Sequence, residues 1–352
     1  MTAVLAARRD TPVVTNEVVD VTAGDGLAIN VHHVIGAHAP TRGPVLLVHG
    51  AGVRADIFRA PERRNLVDAL VDDGWDVWIS NWRASIDLPA NRWNLDQAAV
   101  YDHPAIVQAV LAHTGARTLR AVIHCQGSSS FALAAVAGLL PEVDVIVSNA
   151  MSLHPVVPRF SRFKISRVVP LIASLVPFVD PAWGNGRPAR VIPRLMREFV
   201  GLTHRECGND VCKLVSFTYG AGHPALWSHE NLSAATHEWL RHEFGPVPMT
   251  FFAQMATSIA RGRITPTGTV PGLGIDPVGA PPQTDARFAF IAGEQNLCFL
   301  PESQRRTFAY LDAHRPGHHS LHVVPGYGHL DVFLGRYAAR DTFPLILEEL
   351  AR

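Results

Sequence analysis

The sequence predicts an α/β protein: a mostly parallel eight-stranded sheet with helices on both faces and a helical cap inserted after the sixth strand. Three observations predict it. Short, continuous apolar runs alternate with helical segments, as parallel strands buried on both faces require. One such run ends in a tight turn at Cys125 and opens into a helix rich in small residues. Between Asn149 and Thr284 the alternation stops, and after Thr284 it resumes.

Taken in order, 13–21 and 27–34 read as two antiparallel opening strands around a Gly24-Asp25-Gly26 turn. The runs at 45–48, 77–80, 121–123, 143–148, 288–292 and 321–324 read as buried strands. Helical pattern falls near 62–73, 100–113, 128–140, 301–314 and 338–351. This divides the chain into a core, 1–150 with 284–352, and a mostly helical cap, 151–283. Inside the cap, helical pattern recurs at 190–200, 232–243 and 248–261, and 262–282 is a Gly/Pro-rich return. The apolar stretch 168–179 is too short and too broken by proline for a membrane span. Placed over the turn at Cys125, such a block would exclude water and shape an apolar pocket. The alternative is a separate subdomain that does not touch the site.

Composition narrows the function. At 352 residues the chain can bury a large core. Lys+Arg and Asp+Glu both number 31, so no global field attracts nucleic acid or an anionic membrane. Four cysteines in a chain of this length do not form a disulfide framework. The segment 1–10 lacks the apolar region of a signal peptide, which points to a cytoplasmic protein. No G-x-G-x-x-G turn near the N-terminus separates a strand from a helix. A cofactor-free enzyme with a small-molecule or carrier-bound acyl substrate is expected; its oligomeric state stays open.

Ile123-His124-Cys125-Gln126-Gly127 carries the chemistry. A strand, a nucleophile with Gly two positions later and then a helix make the sequence form of a nucleophile elbow, here with sulfur at its tip. Ile123 stands where such elbows usually have Gly, so it must point away or widen the turn. The competing view is that Cys125 is core, since free cysteine is among the most buried residues.

Two flanking segments favour the catalytic alternative. Val45-Leu46-Leu47-Val48-His49-Gly50-Ala51-Gly52 ends in a turn able to aim the Ala51 backbone N–H at a developing oxyanion, with Gln126 supplying the second. Gly50 and Gly52 allow close backbone approach. With His49, His124 and Trp82 they form the candidate substrate-binding set. Near the C-terminus, Gly326-Tyr327-Gly328-His329-Leu330-Asp331 follows the last strand and places His329, one of 18 histidines, where the base belongs. Asp331 is too close in sequence to orient that ring easily but could brace its loop.

The chain resembles the α/β-hydrolase superfamily over essentially its whole length. Trp78-Ile79-Ser80-Asn81-Trp82-Arg83 and Tyr101-Asp102-His103-Pro104-Ala105 resemble acid lipases and polyhydroxyalkanoate synthases, and the synthases also carry cysteine in the elbow. Three further motifs are similar to the hydrolase-like domain associated with cholesterol-oxidase-type flavoenzymes. They are Glu206-Cys207 through Tyr219-Gly220, Thr236-His237-Glu238-Trp239-Leu240 and Tyr327-Gly328-His329-Leu330-Asp331.

The resemblance implies an aspartate in the segment Gly293-Glu294-Gln295-Asn296-Leu297-Cys298, where this chain has Asn296. Glu294 is the reserve candidate. A Cys/His couple can rest as thiolate and imidazolium, so the third group need only hold the ring. The expected catalytic set is therefore Cys125, His329 and either Asn296 or Glu294, and Cys298 reads as packing. No metal site is expected: the spacing of Cys207 and Cys212 fits no C-x-x-C motif. The expected chemistry is hydrolysis of an ester or thioester of a hydrophobic acyl substrate through an acyl-cysteine. Transfer to an alcohol or amine is the alternative, and a non-catalytic binding protein is the competitor of another class.

Overall fold

The computed structural model describes residues 15–352. Val13 and Val14 of the expected first strand, and the 1–10 segment, lie outside the described residues. Eight strands form one sheet in the order β1-β2-β4-β3-β5-β6-β7-β8. In chain order they are β1 (Thr15–Thr22), β2 (Ala28–Ile35), β3 (Pro44–Val48), β4 (Asp76–Asn81), β5 (Leu119–His124), β6 (Val143–Asn149), β7 (Arg287–Gly293) and β8 (Ser320–Val324). The first pair is an antiparallel hairpin with Gly26 at φ 87° in its turn, and β2 runs antiparallel to β4. All other pairings are parallel. Every residue of β3 is buried, as the continuous apolar run required.

The sheet is flanked by α1 (Leu66–Asp72), α2 (His103–Thr114) and α3 (Cys125–Val136). The segment between β6 and β7 carries α4 (Val191–Thr203), α5 (Asp210–Tyr219), α6 (Ala234–Trp239) and α7 (Met249–Arg261). Then come α8 (Pro301–His314) and α9 (Phe343–Ala351). The inserted segment contributes no strand to the main sheet; its own pairing is two residues long, Phe178–Val179 against Val247–Pro248. No helix among the described residues is long and apolar enough to cross a membrane.

Several boundaries differ from expectation for local reasons. Helix α1 starts at Leu66, not 62, because Asn65 caps it. The Asn65 side chain accepts from the Asp68 N–H at 3.0 Å, and the Asp68 carboxylate accepts from the Asn65 N–H. Helix α2 is entered earlier, through Leu95–Gln97 and a wide turn at Ala98–Asp102. The expected 338–351 helix is split at Thr342, whose hydroxyl bonds the Val332 carbonyl at 2.6 Å, with Pro344 following in the first turn of α9. Helix α5 was not anticipated from periodicity.

The Asn81-Trp82-Arg83 and Tyr101-Asp102-His103 motifs meet in the core. Arg83 bonds the buried Asp102 carboxylate at 2.6 Å and reaches Asp25 in the β1–β2 turn at 2.9 Å. This pairing ties the strand that follows the oxyanion turn to the start of α2. Removing either partner would leave an uncompensated buried charge.

Candidate active site

Strand β5 ends at His124, and α3 begins on Cys125 itself, three residues before the expected start. Cys125 adopts φ 54°, in the left-handed region that non-glycine residues occupy at a cost of about 1–3 kcal/mol. Close packing enforces the turn. A Cβ on Gly127 would lie 2.0 Å from the His49 carbonyl oxygen, and one on Gly50 would lie 3.0 Å from Cys125 Cβ. Ile123 does not widen the turn. It is fully buried and in register with Val48 and Ser148, and pairing continues to His124 opposite Asn149.

Cys125 Sγ, a ring nitrogen of His329 and a ring nitrogen of His124 lie within 4.8 Å of one another. The candidate base and the candidate nucleophile thus come together although they lie far apart in sequence. His329 is fully buried, and neither of its ring nitrogens has a hydrogen-bond partner among the described residues. Its loop is fixed through the backbone. The His329 N–H donates to Leu226 O at 3.0 Å, and Asp331 accepts from Gly328 N–H at 2.7 Å, Ser228 N–H at 3.1 Å and Asn231 Nδ2 at 2.7 Å. Asp331 therefore braces the loop, as its position suggested. Behind the pair, His124 Nδ1 bonds Asn149 Oδ1 at 2.7 Å, and burial pushes His124 well below the ordinary imidazole range, keeping it neutral.

Burial alone would push the Cys125 thiol up. That effect is outweighed by the neighbouring Cys298, by His329 and by the Gln126 backbone N–H, so the thiol falls well below its ordinary range. Cys298 moves the other way, driven first by the neighbouring Cys125 and then by burial. Cys298 lines the same cavity beside Cys125.

The third group departs from expectation. Asn296 is buried, but its Oδ1 accepts from the backbone N–H groups of Cys298 at 2.9 Å and Phe299 at 3.2 Å and caps its own loop. Glu294 is exposed, with its carboxylate 3.4 Å from the Gly326 N–H. Neither makes a hydrogen bond to the His329 ring. The loop's own N–H donors, those of Cys298 and Phe299, take the Asn296 oxygen.

The oxyanion turn is held on several sides. The Trp82 indole donates to His49 O at 3.0 Å, His49 Nδ1 lies 2.7 Å from Gly50 O, and the Tyr219 hydroxyl donates to Ala51 O at 3.1 Å. Burial lowers His49 to about 4, so it too is neutral. A cavity of about 840 Å³, including its open mouth, rises from Cys125, Gln126 and Cys298 and is walled mainly by the inserted segment, among others by Phe217, Tyr219, Phe251 and Met255. His49, Gly50, Gly52, His124 and Trp82 do not line it. Trp82 and His49 are fully buried beneath the turn, and Gly52, at φ 66°, is packed under Val247 and Tyr219. These five residues form the floor of the site, not the pocket wall. Tyr219, Asn149 and Lys164 were missed as site residues. Burial lowers the Lys164 ammonium in the cavity wall to about 8, and it donates to Gly220 O at 2.7 Å. Only Tyr219 carried a sequence signal, within a quoted motif that singled out no residue.

No family model matches the chain. In an alignment of 162 positions that covers 39% of the chain, the sequence is 29% identical to Sterol esterase 2 of Saccharomyces cerevisiae and covers 30% of that protein. In an alignment of 155 positions, also covering 39% of the chain, it is 28% identical to Lipase 3 of Drosophila melanogaster and covers 38% of it. The chain therefore matches well under half the length of these curated relatives. Among solved structures, a thermophilic esterase from Thermogutta terrifontis superposes with a TM-score of 0.57 at 15% identity, over 95% of this chain and 98% of that one. The fold is the α/β-hydrolase fold.

Proposed function

We propose that the protein is a cysteine-nucleophile enzyme that cleaves an ester or thioester of an apolar acyl or sterol-like substrate. One observation carries this function: a sulfur in left-handed backbone at the strand-to-helix turn, within 4.8 Å of a ring nitrogen of His329, at the base of an apolar cavity. The sterol esterase and lipase likenesses support ester chemistry on hydrophobic substrates. The segment 151–283 acts as the cap: its apolar wall takes up the acyl or ring portion of the substrate.

In the first half-reaction the Cys125 thiolate adds to the carbonyl carbon. A C–S bond forms, and the π pair moves to oxygen, held by the Gln126 and Ala51 N–H groups. Collapse expels the alkoxide or thiolate, which takes the proton from the His329 imidazolium. Water then attacks the acyl-cysteine and gives its proton to His329, and the C–S bond breaks to release the acid and regenerate the thiolate. His329 is positioned by its loop, without a side-chain carboxylate. This suits a resting thiolate–imidazolium pair, which needs less stabilisation of imidazolium than a serine would.

The test is intact mass after exposure to a panel of activated acyl esters and acyl thioesters. A single acyl adduct, mapped to Cys125 and absent in Cys125→Ala, is expected. No adduct with any donor would leave a non-catalytic binding protein. An adduct resolved by an added alcohol or amine faster than by water would reassign the enzyme as an acyltransferase.

A further inference from the structure

The inserted segment gathers two cysteines and two histidines that the sequence scatters over 31 positions. Cys207 precedes Asn209, whose side chain caps α5 by accepting from the Val211 and Cys212 N–H groups at 3.0 and 3.2 Å. Cys212 lies buried in the first turn of that helix. His229 opens a short turn after the α5 connection, and His237 lies on α6. Asn209 Nδ2 donates to the His237 carbonyl at 2.9 Å, so the cap of one helix also fixes the other. One donor atom from each of the four residues lies within 4.8 Å of the other three.

We propose that Cys207, Cys212, His229 and His237 form a structural zinc site that staples α5 to α6 inside the cap. The separations suit the metal. Tetrahedral zinc with sulfur at about 2.3 Å and nitrogen at about 2.0 Å places its donors roughly 3.3–3.8 Å apart. Cys212 Sγ and His229 Nε2 are already 3.4 Å apart. The two imidazole planes cross at 79° with centroids 4.9 Å apart, so the rings approach as two separate vertices and do not stack. His237 Nε2 is buried with no hydrogen-bond partner among the described residues, a cost that a metal bond removes. The donor set selects the ion. Two thiolates and two neutral imidazoles balance a divalent charge and suit zinc, whereas magnesium and calcium require oxygen ligands. Binding displaces two thiol protons to solvent. Four protein ligands leave no open coordination position, so the ion's role is structural.

The staple bears on the active site through the backbone. Helix α5 carries Phe217 and Tyr219 into the cavity wall. The segment leading to His229 holds the His329 loop: Leu226 O accepts from His329 and Leu330, and the Ser228 N–H and Asn231 side chain bond Asp331. The site thus joins a wall of the pocket to the segment on which the candidate base rests.

The experiment uses the full chain purified from zinc-supplemented medium. Elemental analysis should find one zinc per chain. Chelation followed by cobalt should give tetrahedral visible bands with a sulfur-to-metal charge-transfer band. Cys207→Ser and His237→Gln should each bring the metal to background, and Cys298→Ser should leave it unchanged. Because a ligand variant can fail to fold, zinc is also titrated into chelator-treated wild-type protein. Uptake at one equivalent with a rise in thermal midpoint supports the site. Metal-free wild-type protein that takes up no zinc overturns it, as does stoichiometric zinc retained in both ligand variants.

Discussion

A methyl group on Gly127 would stand 2.0 Å from the carbonyl oxygen of His49, the same oxygen that accepts the Trp82 indole N–H at 3.0 Å. The nucleophile turn and the oxyanion turn are therefore in direct backbone contact, and neither can shift without the other. Gly127→Ala should destabilise the protein by about 2–3 kcal/mol or prevent folding, since the clash is with fixed backbone rather than a movable side chain. Thermal melts by circular dichroism check this; an unchanged midpoint would show that the contact is looser than described.

The Cys125 thiol lies well below its ordinary range, burial being outweighed by Cys298, His329 and the Gln126 N–H. Its alkylation by iodoacetamide should therefore rise at lower pH than that of an ordinary thiol. Cys298→Ala removes a neighbour that lowers the thiol, so the rise should move to higher pH. Identical profiles for wild type and Cys298→Ala would rule out that influence of Cys298.

Asn296 supplies the acceptor for two buried N–H groups, those of Cys298 and Phe299. Asn296→Leu leaves both unpaired and should cost about 2–6 kcal/mol, at roughly 1–3 kcal/mol for each buried donor. Asn296→Asp keeps the acceptor oxygen and should stay within about 1 kcal/mol of wild type. Denaturant unfolding of the two variants measures the difference; equal destabilisation would mean the oxygen is not what holds the loop.

Glu243 links the inserted segment to the oxyanion side of the core, with Arg54 Nε 3.5 Å from its carboxylate. Burial pushes Glu243 up from 4.5 to about 7, against the pull of Arg54. A carboxyl group raised in the folded state contributes stability that is fully present below about pH 4.5 and lost as pH rises through about 7. Glu243→Gln should therefore flatten the stability profile across that window, by on the order of 3 kcal/mol at most. Urea midpoints at several pH values decide it, and a decline of equal size in wild type and variant would assign the pH dependence elsewhere.

Sequence alone determined the frame. The order of apolar runs and helices, the elbow at Cys125 and the loop bearing His329 were legible because each depends on residues adjacent in the chain, where periodicity and turn chemistry act. Tertiary structure decided which polar groups meet. Asn296 turned to its own loop, where the Cys298 and Phe299 N–H groups take its oxygen. Cys298 joined the nucleophile, Trp82 went beneath the oxyanion turn, and His229 and His237 came round to Cys207 and Cys212. Contacts between residues far apart in sequence follow the path of the backbone and the competition among nearby donors. Neither leaves a periodic mark in the chain.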